Sequence, residues 1–116
     1  MEIRRNGTNG RRAQSVACGD TLYTSGITST DLAGDITAQT QDVLKQLDDI
    51  LRRGGTNRDH VLSATITLAD MADYGAFNAV WDQWVVDGFE PVRSVTEGRL
   101  AVSEYKVKIS LVAALL

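Results

Sequence analysis

Residues 35–69 read DITAQTQDVLKQLDDILRRGGTNRDHVLSATITLA, and the spacing of the apolar residues changes partway along this segment. In the first half they recur every three or four residues, which predicts an amphipathic helix from Asp35 to Arg53. Asp35 is a suitable N-cap for this helix, and Gly54-Gly55 is expected to end it. From Val61 to Ala69 apolar and polar residues alternate, which predicts a strand whose apolar face carries Leu62, Ala64, Ile66 and Leu68.

The flanking sequence predicts five further strands and a second helix. The strands are Glu2–Arg5, Ser15–Ala17, Leu22–Ser25, Val92–Glu97 and Tyr105–Ala114. The second helix is expected to start after Asp70 as N-cap and to end before Asp87-Gly88 and Pro91. A loop is expected from Gly26 to Gly34. The resulting order, β-β-β-α-β-α-β-β, predicts one α/β (α+β) domain over residues 1–116, in which a single sheet is backed by two helices.

Aromatic residues follow one face of the second predicted helix. Their spacings are three, four and three, and the residues are Tyr74, Phe77, Trp81 and Trp84. Such a stripe predicts that the helix packs its aromatic face into the core, rather than forming a ligand site.

Composition excludes several classes of function. The chain has 116 residues, a formal net charge of −3, one Cys and one His. An internal disulfide is impossible, and Cys and His alone cannot build a zinc site, so we expect no metal. The acidic balance argues against a nucleic-acid partner, although Arg4, Arg5, Arg11 and Arg12 cluster near the start and could contact an anion. No apolar run approaches the ~20 residues of a membrane span.

The remaining reactive side chains have ordinary structural interpretations. Cys18 is interpreted as a small packing residue, and His60 as a surface or loop histidine at the start of a strand. A free cysteine is typical of a reducing compartment, and no secretory signal follows the first arginines, so we expect a cytoplasmic protein.

Arg93 is the most suggestive polar residue. It lies two positions after Pro91, the only proline, at the start of a predicted strand. Proline restricts the backbone at the entry to that strand, so the direction of the guanidinium is also restricted. A guanidinium can hold a carboxylate by two parallel hydrogen bonds. The residue types leave two interpretations open, a carboxylate clamp or an exposed strand arginine.

Six short segments in fixed order resemble the reactive intermediate deaminase (RidA) family, also called the YjgF-type or L-PSP family. They run over nearly the whole chain, and they are Leu22-Tyr23-Thr24-Ser25-Gly26, Gln39-Thr40, Leu68-Ala69-Asp70-Met71-Ala72-Asp73-Tyr74, Asn78-Ala79-Val80-Trp81, Pro91-Val92-Arg93-Ser94 and Val107-Lys108-Ile109-Ser110-Leu111-Val112-Ala113-Ala114. Each segment is short, but the ordered set at these spacings is specific.

The resemblance implies a fold and an activity. The fold is chorismate-mutase-like, with a six-stranded sheet backed by two helices, and three chains associate as a homotrimer around a central barrel with pockets at the subunit interfaces. The activity is hydrolysis of reactive enamines and imines to 2-keto acids and ammonia, without a metal or organic cofactor. The family arginine that binds the substrate carboxylate matches Arg93, the pocket serine-glycine pair matches Ser25-Gly26, and the helix asparagine matches Asn78.

Three family positions differ in this chain. The glutamate that positions the attacking water falls at Lys108, a cysteine becomes Val95, and a pocket tyrosine falls at Arg12. A carboxylate can accept a hydrogen bond from water, whereas an ammonium group cannot. Beside Arg93, Lys108 could lose its proton and act as base, or act as acid toward nitrogen. Equally, the cations could form an anion pocket, and Glu97 on the same strand face as Arg93 could offset their charge.

Three functional hypotheses follow from these residues. The first is an enzyme that deaminates small 2-imino or enamine acids, with Arg93 as clamp and Lys108 in the place of the glutamate. The second is a non-catalytic binder of small carboxylate metabolites with a regulatory role. The third is a ribonuclease, against which the acidic charge balance argues.

Overall fold

Seven strands and two α-helices form the chain, in a computed structural model that describes all 116 residues. The helices are α1 (Ile36–Gly54) and α2 (Tyr74–Trp84). The strands are β1 (Ile3–Asn6), β2 (Ser15–Cys18), β3 (Thr21–Thr24), β4 (Ile27–Thr28), β5 (Val61–Leu68), β6 (Val92–Glu97) and β7 (Val107–Ala114). None of the helices combines the length and apolarity that crossing a bilayer would take.

All strands belong to one mixed sheet. Its order is β1-β2-β3-β7-β5-β6, with β4 pairing to β7 beside β3. Only β5 and β6 are parallel, and every other pair is antiparallel. Both helices pack on one face, where a cluster of 21 buried apolar residues forms the core. The predicted α/β arrangement of one sheet backed by two helices is therefore confirmed.

Helix α1 begins and ends where the sequence predicts. The Asp35 side chain accepts a hydrogen bond from the backbone N–H of Ala38 at 2.9 Å. Gly55 ends the helix in the left-handed region with φ 96°, and its N–H bonds the carbonyl of Arg52. A residue with a Cβ would be strained in this conformation, so glycine is needed at that position.

Helix α2 is shorter than predicted at both ends. Asp70 caps a 3₁₀ turn, Met71–Asp73, by accepting from the N–H of Ala72, and the α-helix starts only at Tyr74. It ends at Trp84, because Val85 is already extended. Three members of the aromatic stripe are buried as predicted, but Tyr74 is 41% exposed.

Two features of the sheet differ from prediction. A short strand, β4, lies where a loop was expected. Leu62 was placed on the apolar face of its strand, yet it is 52% exposed. The register of β5 against β7 shifts between Val61 and Ser63, so an irregularity in the pairing displaces Leu62 from the core.

The face of the sheet opposite the helices is uncovered in a single chain. It carries polar residues such as Ser94, Thr96 and Lys108, together with exposed apolar ones, of which Tyr23 and Val92 are examples. A mixed surface of this kind can contact either solvent or a second subunit.

Candidate functional site

Arg93 is held against α2 by polar contacts. The residue lies on edge strand β6 and pairs in register with Ala64, a core residue, so its side chain is on the face that the helices cover. Its Nη2 donates to Oδ1 of Asn78 at 2.8 Å and to the hydroxyl of Tyr74 at 3.3 Å. Its Nη1 is buried and has no partner in the chain. No acidic side chain forms an ion pair with it.

Aromatic rings surround the same guanidinium. Its carbon lies 5.9 Å from the ring centroid of Tyr74, 5.9 Å from that of Phe77 and 5.6 Å from that of Trp81. Distances within about 6 Å favour a cation over an aromatic face. We call Asn78, Tyr74, Phe77 and Trp81 the Arg93 cradle. The aromatic stripe therefore serves both the core and the site.

A cleft of about 400 Å³ opens beside Arg93. Trp81 and Val85 supply its apolar wall, and Asp82, Asp87 and Glu90 add carboxylates. A small metabolite fits this volume, and Arg93 is the one cation that lines it.

Ser25 and Gly26 lie at an irregularity between β3 and β4. Tyr23 pairs with Val112, and Ile27 pairs with Ile109, so one strand covers four steps where its partner covers three. One extra residue in a strand is a β-bulge, a feature often found beside active sites. The Ser25 hydroxyl is buried here and has no hydrogen-bond partner.

Lys108 lies directly over Gly26. A Cβ added to Gly26 would come within 2.9 Å of Cδ of Lys108, so the absence of a side chain lets the lysine stem approach the backbone. Arg12, Gly26 and Thr30 line a second cleft of about 310 Å³. Ser25, Gly26, Lys108 and Arg12 thus form a second group, which we call the bulge group.

The residues predicted for the site fall into two places in one chain. Lys108 pairs with Thr67 of β5, and Thr67 pairs with Thr96 of β6, so Lys108 lies on the uncovered face. Arg93 lies on the helix-covered face. Arg93 and Lys108 are therefore not neighbours within a single chain, because the sheet separates the two side chains.

Glu97 also has a different neighbour from the one expected. It lies on the same face of β6 as Arg93, but its Oε2 accepts from the backbone N–H of Met71 at 2.8 Å. The carboxylate therefore fixes the 3₁₀ turn before α2 and forms no ion pair with Arg93.

An aspartate missed by the sequence reasoning organises the wall of the second cleft. Asp42 on α1 accepts hydrogen bonds from the backbone N–H of Thr30, from the hydroxyls of Ser29 and Thr30, and from the amide of Gln46. Burial alone would raise the pKa of Asp42, but these hydrogen bonds outweigh it and lower the pKa below its ordinary value. A polar residue on the outer face of an amphipathic helix gives no signal of this role.

Tyr74 is the second site residue that the pattern did not identify, because it was grouped with the buried stripe. A residue that only packs in the core needs no hydroxyl, so a tyrosine in place of a phenylalanine was the signal in the sequence that could have identified it. Cys18 is free and half-buried, and His60 bonds Asn57 within its own turn. No group of three or more His, Cys, Asp or Glu side chains is arranged to hold a metal ion.

Comparison with known proteins identifies the family. A family model described as endoribonuclease L-PSP matches residues 4–115. The RutC family protein YoaB of Escherichia coli K12 is 40% identical over 114 residues, which is 98% of this chain and 99% of YoaB. The chain belongs to this family, and the predicted resemblance is confirmed.

Solved structures and a more distant relative extend the comparison. NMB1025 of Neisseria meningitidis, a YjgF family protein, superposes with a TM-score of 0.98 at 39% identity and covers 100% of this chain and 97% of its own. A mouse protein named 2-iminobutanoate/2-iminopropanoate deaminase is 27% identical over 110 residues, or 90% of this chain and 81% of the mouse protein. The fold is therefore that of the YjgF proteins.

Proposed function

We propose that this protein hydrolyses reactive 2-imino or enamine acids to 2-keto acids and ammonia. The observation that carries the proposal is the state of Arg93, a cation with no acidic partner, held in place beside a cleft. A fixed guanidinium without a carboxylate partner suits a ligand that brings its own carboxylate. The name of the mouse relative supports the chemistry, since that protein is a deaminase of 2-imino acids.

We further propose that the complete site needs a second copy of the chain. Arg93 in the cradle and Lys108 in the bulge group lie on opposite faces of one sheet, so these two side chains cannot contact one small molecule together within a chain. The cradle and the bulge group each contain a buried polar atom without a partner, Nη1 of Arg93 and Oγ of Ser25. Buried polar atoms normally have partners, so these two indicate places that a ligand or a neighbouring subunit completes.

The uncovered face of the sheet supports the same assembly. Exposed apolar residues there, including Tyr23 and Val92, gain a neighbour if subunits pack sheet against sheet. We propose a homotrimer in which the edge strand β6, which carries the cradle of one subunit, meets the bulge group of the next. Light scattering should report a mass three times 12.6 kDa. A stable monomer would contradict both the assembly and a site shared between subunits.

The chemistry requires a water directed at the imine carbon and a proton delivered to nitrogen. Arg93 binds the carboxylate and fixes the position of the carbon. No carboxylate belongs to the bulge group, where Lys108 occupies the position of the family glutamate. An ammonium group cannot accept a hydrogen bond from that water, so activation of the water is left to solvent or to a neighbouring subunit.

The direct test is turnover of 2-iminobutyrate generated in the assay, followed as formation of 2-ketobutyrate. We expect purified protein to accelerate hydrolysis above the spontaneous rate, and Arg93→Ala to remove the acceleration. Loss of a charge-assisted contact of this kind costs roughly 2–5 kcal/mol. An unchanged rate of spontaneous decay with wild-type protein would eliminate the enzymatic proposal.

A non-catalytic carboxylate binder is the second candidate, and Lys108 is the observation that favours it. A cation in place of the family glutamate strengthens anion binding and removes the acceptor for water. Calorimetry that shows binding of 2-ketobutyrate, together with no turnover, would select this function. The endoribonuclease of the family description is not proposed, because the chain has a net charge of −3 and its only histidine bonds Asn57 in a turn.

A further inference from the structure

Four arginines at one edge of the sheet have no acidic partner within the chain. Arg4 and Arg5 belong to edge strand β1, and Arg11 and Arg12 belong to the loop that joins β1 to β2. All four are exposed, and none of them forms an ion pair. The side-chain oxygen of Asn9 accepts hydrogen bonds from the backbone N–H groups of Arg11 and Arg12, both at 2.9 Å, and so holds the loop. We call the four arginines the basic edge.

Three carboxylates lie beside the opposite edge of the sheet. Asp82 belongs to α2, and Asp87 and Glu90 belong to the segment that leads from α2 to edge strand β6. All three are exposed, none forms an ion pair, and all line the cleft beside Arg93. We call these three residues the acidic edge. Because they outnumber the one guanidinium in that cleft, negative charge there is left without a partner.

The topology of the sheet keeps the two charged edges apart within one chain. β1 and β6 are the first and last strands of the sheet order, so five strand spacings of about 4.8 Å each lie between them. An ion pair needs a separation of about 4 Å or less, so the two sets of charges can meet only between copies of the chain. A contact between two different patches is heterologous, and such contacts close into a ring when the rotation between subunits allows it.

Exposed apolar side chains accompany the charges at both edges. Ile3 on β1 is 49% exposed, Phe89 in the acidic segment is 55% exposed, and Val92 at the start of β6 is 73% exposed. Opposite charges determine which patches meet, whereas burial of apolar surface supplies affinity. Both components are present at each edge.

We propose that the acidic edge of one subunit binds the basic edge of the next, with Arg12 as the residue that reaches the cleft beside Arg93. Arg12 is the one charged residue that lines the cleft of the bulge group. This inference rests on the proposed function, in which the bulge group of one subunit meets β6 of another. It adds the interaction that selects the partner, a second copy of this chain recognised by opposite charge.

The experiment measures how fast subunits exchange between tagged and untagged trimers, by native mass spectrometry. We expect Arg12→Glu to accelerate exchange about tenfold or more, or to abolish the trimer, because like charges then face each other. In a background in which the acidic edge is neutralised by Asp82→Asn, Asp87→Asn and Glu90→Gln, Arg12→Glu should have no such effect. Lys45→Glu is the matched control, since it makes the same charge change at an exposed position of α1, and it should leave exchange unchanged. Circular dichroism verifies that every variant remains folded.

The other outcomes separate this inference from the function on which it rests. Unchanged exchange in Arg12→Glu overturns the inference and leaves the trimer and its shared site standing. Equal acceleration with and without the acidic edge also overturns it, since Arg12 then acts without those carboxylates. A wild-type protein that is monomeric overturns the shared site itself, and the inference with it.

Discussion

Asn78 on α2 accepts a 2.8 Å hydrogen bond from Nη2 of Arg93 on β6, and this contact ties the edge strand of the sheet to the helix that covers it. The asparagine is a neutral acceptor, so it orients the guanidinium without neutralising its charge. An acidic residue at this position would orient Arg93 equally well, but it would also form an ion pair with the guanidinium and so compete with a ligand carboxylate. This difference can be tested directly.

Asn78→Asp should reduce carboxylate binding while leaving the fold intact. Aspartate has nearly the same shape as asparagine, and its charge would pair with Arg93 in competition with the ligand. We expect the Kd for 2-ketobutyrate to rise roughly tenfold or more, since hydrogen bonds to charged groups contribute about 1.5–3 kcal/mol. Calorimetry measures the effect, and Gln83→Glu on the exposed side of the same helix is the control for added charge. Equal affinities in wild type and Asn78→Asp would show that Arg93 does not bind the ligand.

Lys108→Glu should raise the rate of imine hydrolysis. The side chain is exposed on the uncovered face, so the change restores a hydrogen-bond acceptor without disturbing the core. We expect kcat to increase with little change in melting temperature, measured with 2-iminobutyrate. Lys45→Glu, at an exposed position of α1, makes the same charge change away from the bulge group and should not alter kcat. A fall in kcat for Lys108→Glu would instead assign a catalytic role to the lysine.

Gln39→Met should destabilise the fold. The buried side-chain amide donates to the carbonyls of Gly34 and Glu104 and accepts from the N–H of Lys106. Methionine preserves the volume but leaves these backbone groups without partners, which costs about 1–3 kcal/mol for each buried group. We expect the free energy of unfolding in urea to fall by roughly 2–4 kcal/mol, since solvent can reach some of the freed groups. Gln41→Met, at an exposed position on α1, should change it little.

Asp42 should make stability depend on pH. Its pKa is lowered in the folded chain, so its contribution is present above the ordinary carboxyl pKa and is lost as pH falls through the folded value. The stability difference between wild type and Asp42→Asn should therefore stay constant near neutral pH and shrink as the pH falls below about 4. Urea unfolding at several pH values measures it. A difference that stays constant below this pH would show that the hydrogen bonds to Ser29 and Thr30 do not depend on the charge.

Local sequence patterns were sufficient for α1 and for most of the sheet. The helix has a strong period, an N-cap and a glycine stop, and these signals agree with one another. Leu62 was misplaced because a strand pattern assumes regular pairing, and the register shift against β7 depends on residues fifty positions away. The start of α2 was misplaced because a capping aspartate precedes a 3₁₀ turn as readily as an α-helix.

The site was only partly predictable from the sequence. Arg93 was singled out by its position after Pro91, and Asn78, Ser25 and Gly26 were identified through resemblance to a family. The separation of Arg93 from Lys108 by the sheet was not foreseen. β6 reads VRSVTE and has no alternation that would assign its faces, so the side on which Arg93 lies was undetermined. Its position follows from the parallel pairing with β5, which brings Arg93 opposite Ala64.

The bulge at Ser25-Gly26 also makes the chain sensitive to length at this point. Tyr23 is exposed and Ile27 is buried although they are four residues apart, a spacing that would place both on one side of a regular strand. Deleting one residue here would remove the bulge and keep Ile27 opposite Ile109 on the buried side, while removing two would turn Ile27 toward solvent and Thr28 into the core. A deletion series in this segment should therefore show an odd–even pattern in stability, which amino-acid substitutions cannot reproduce.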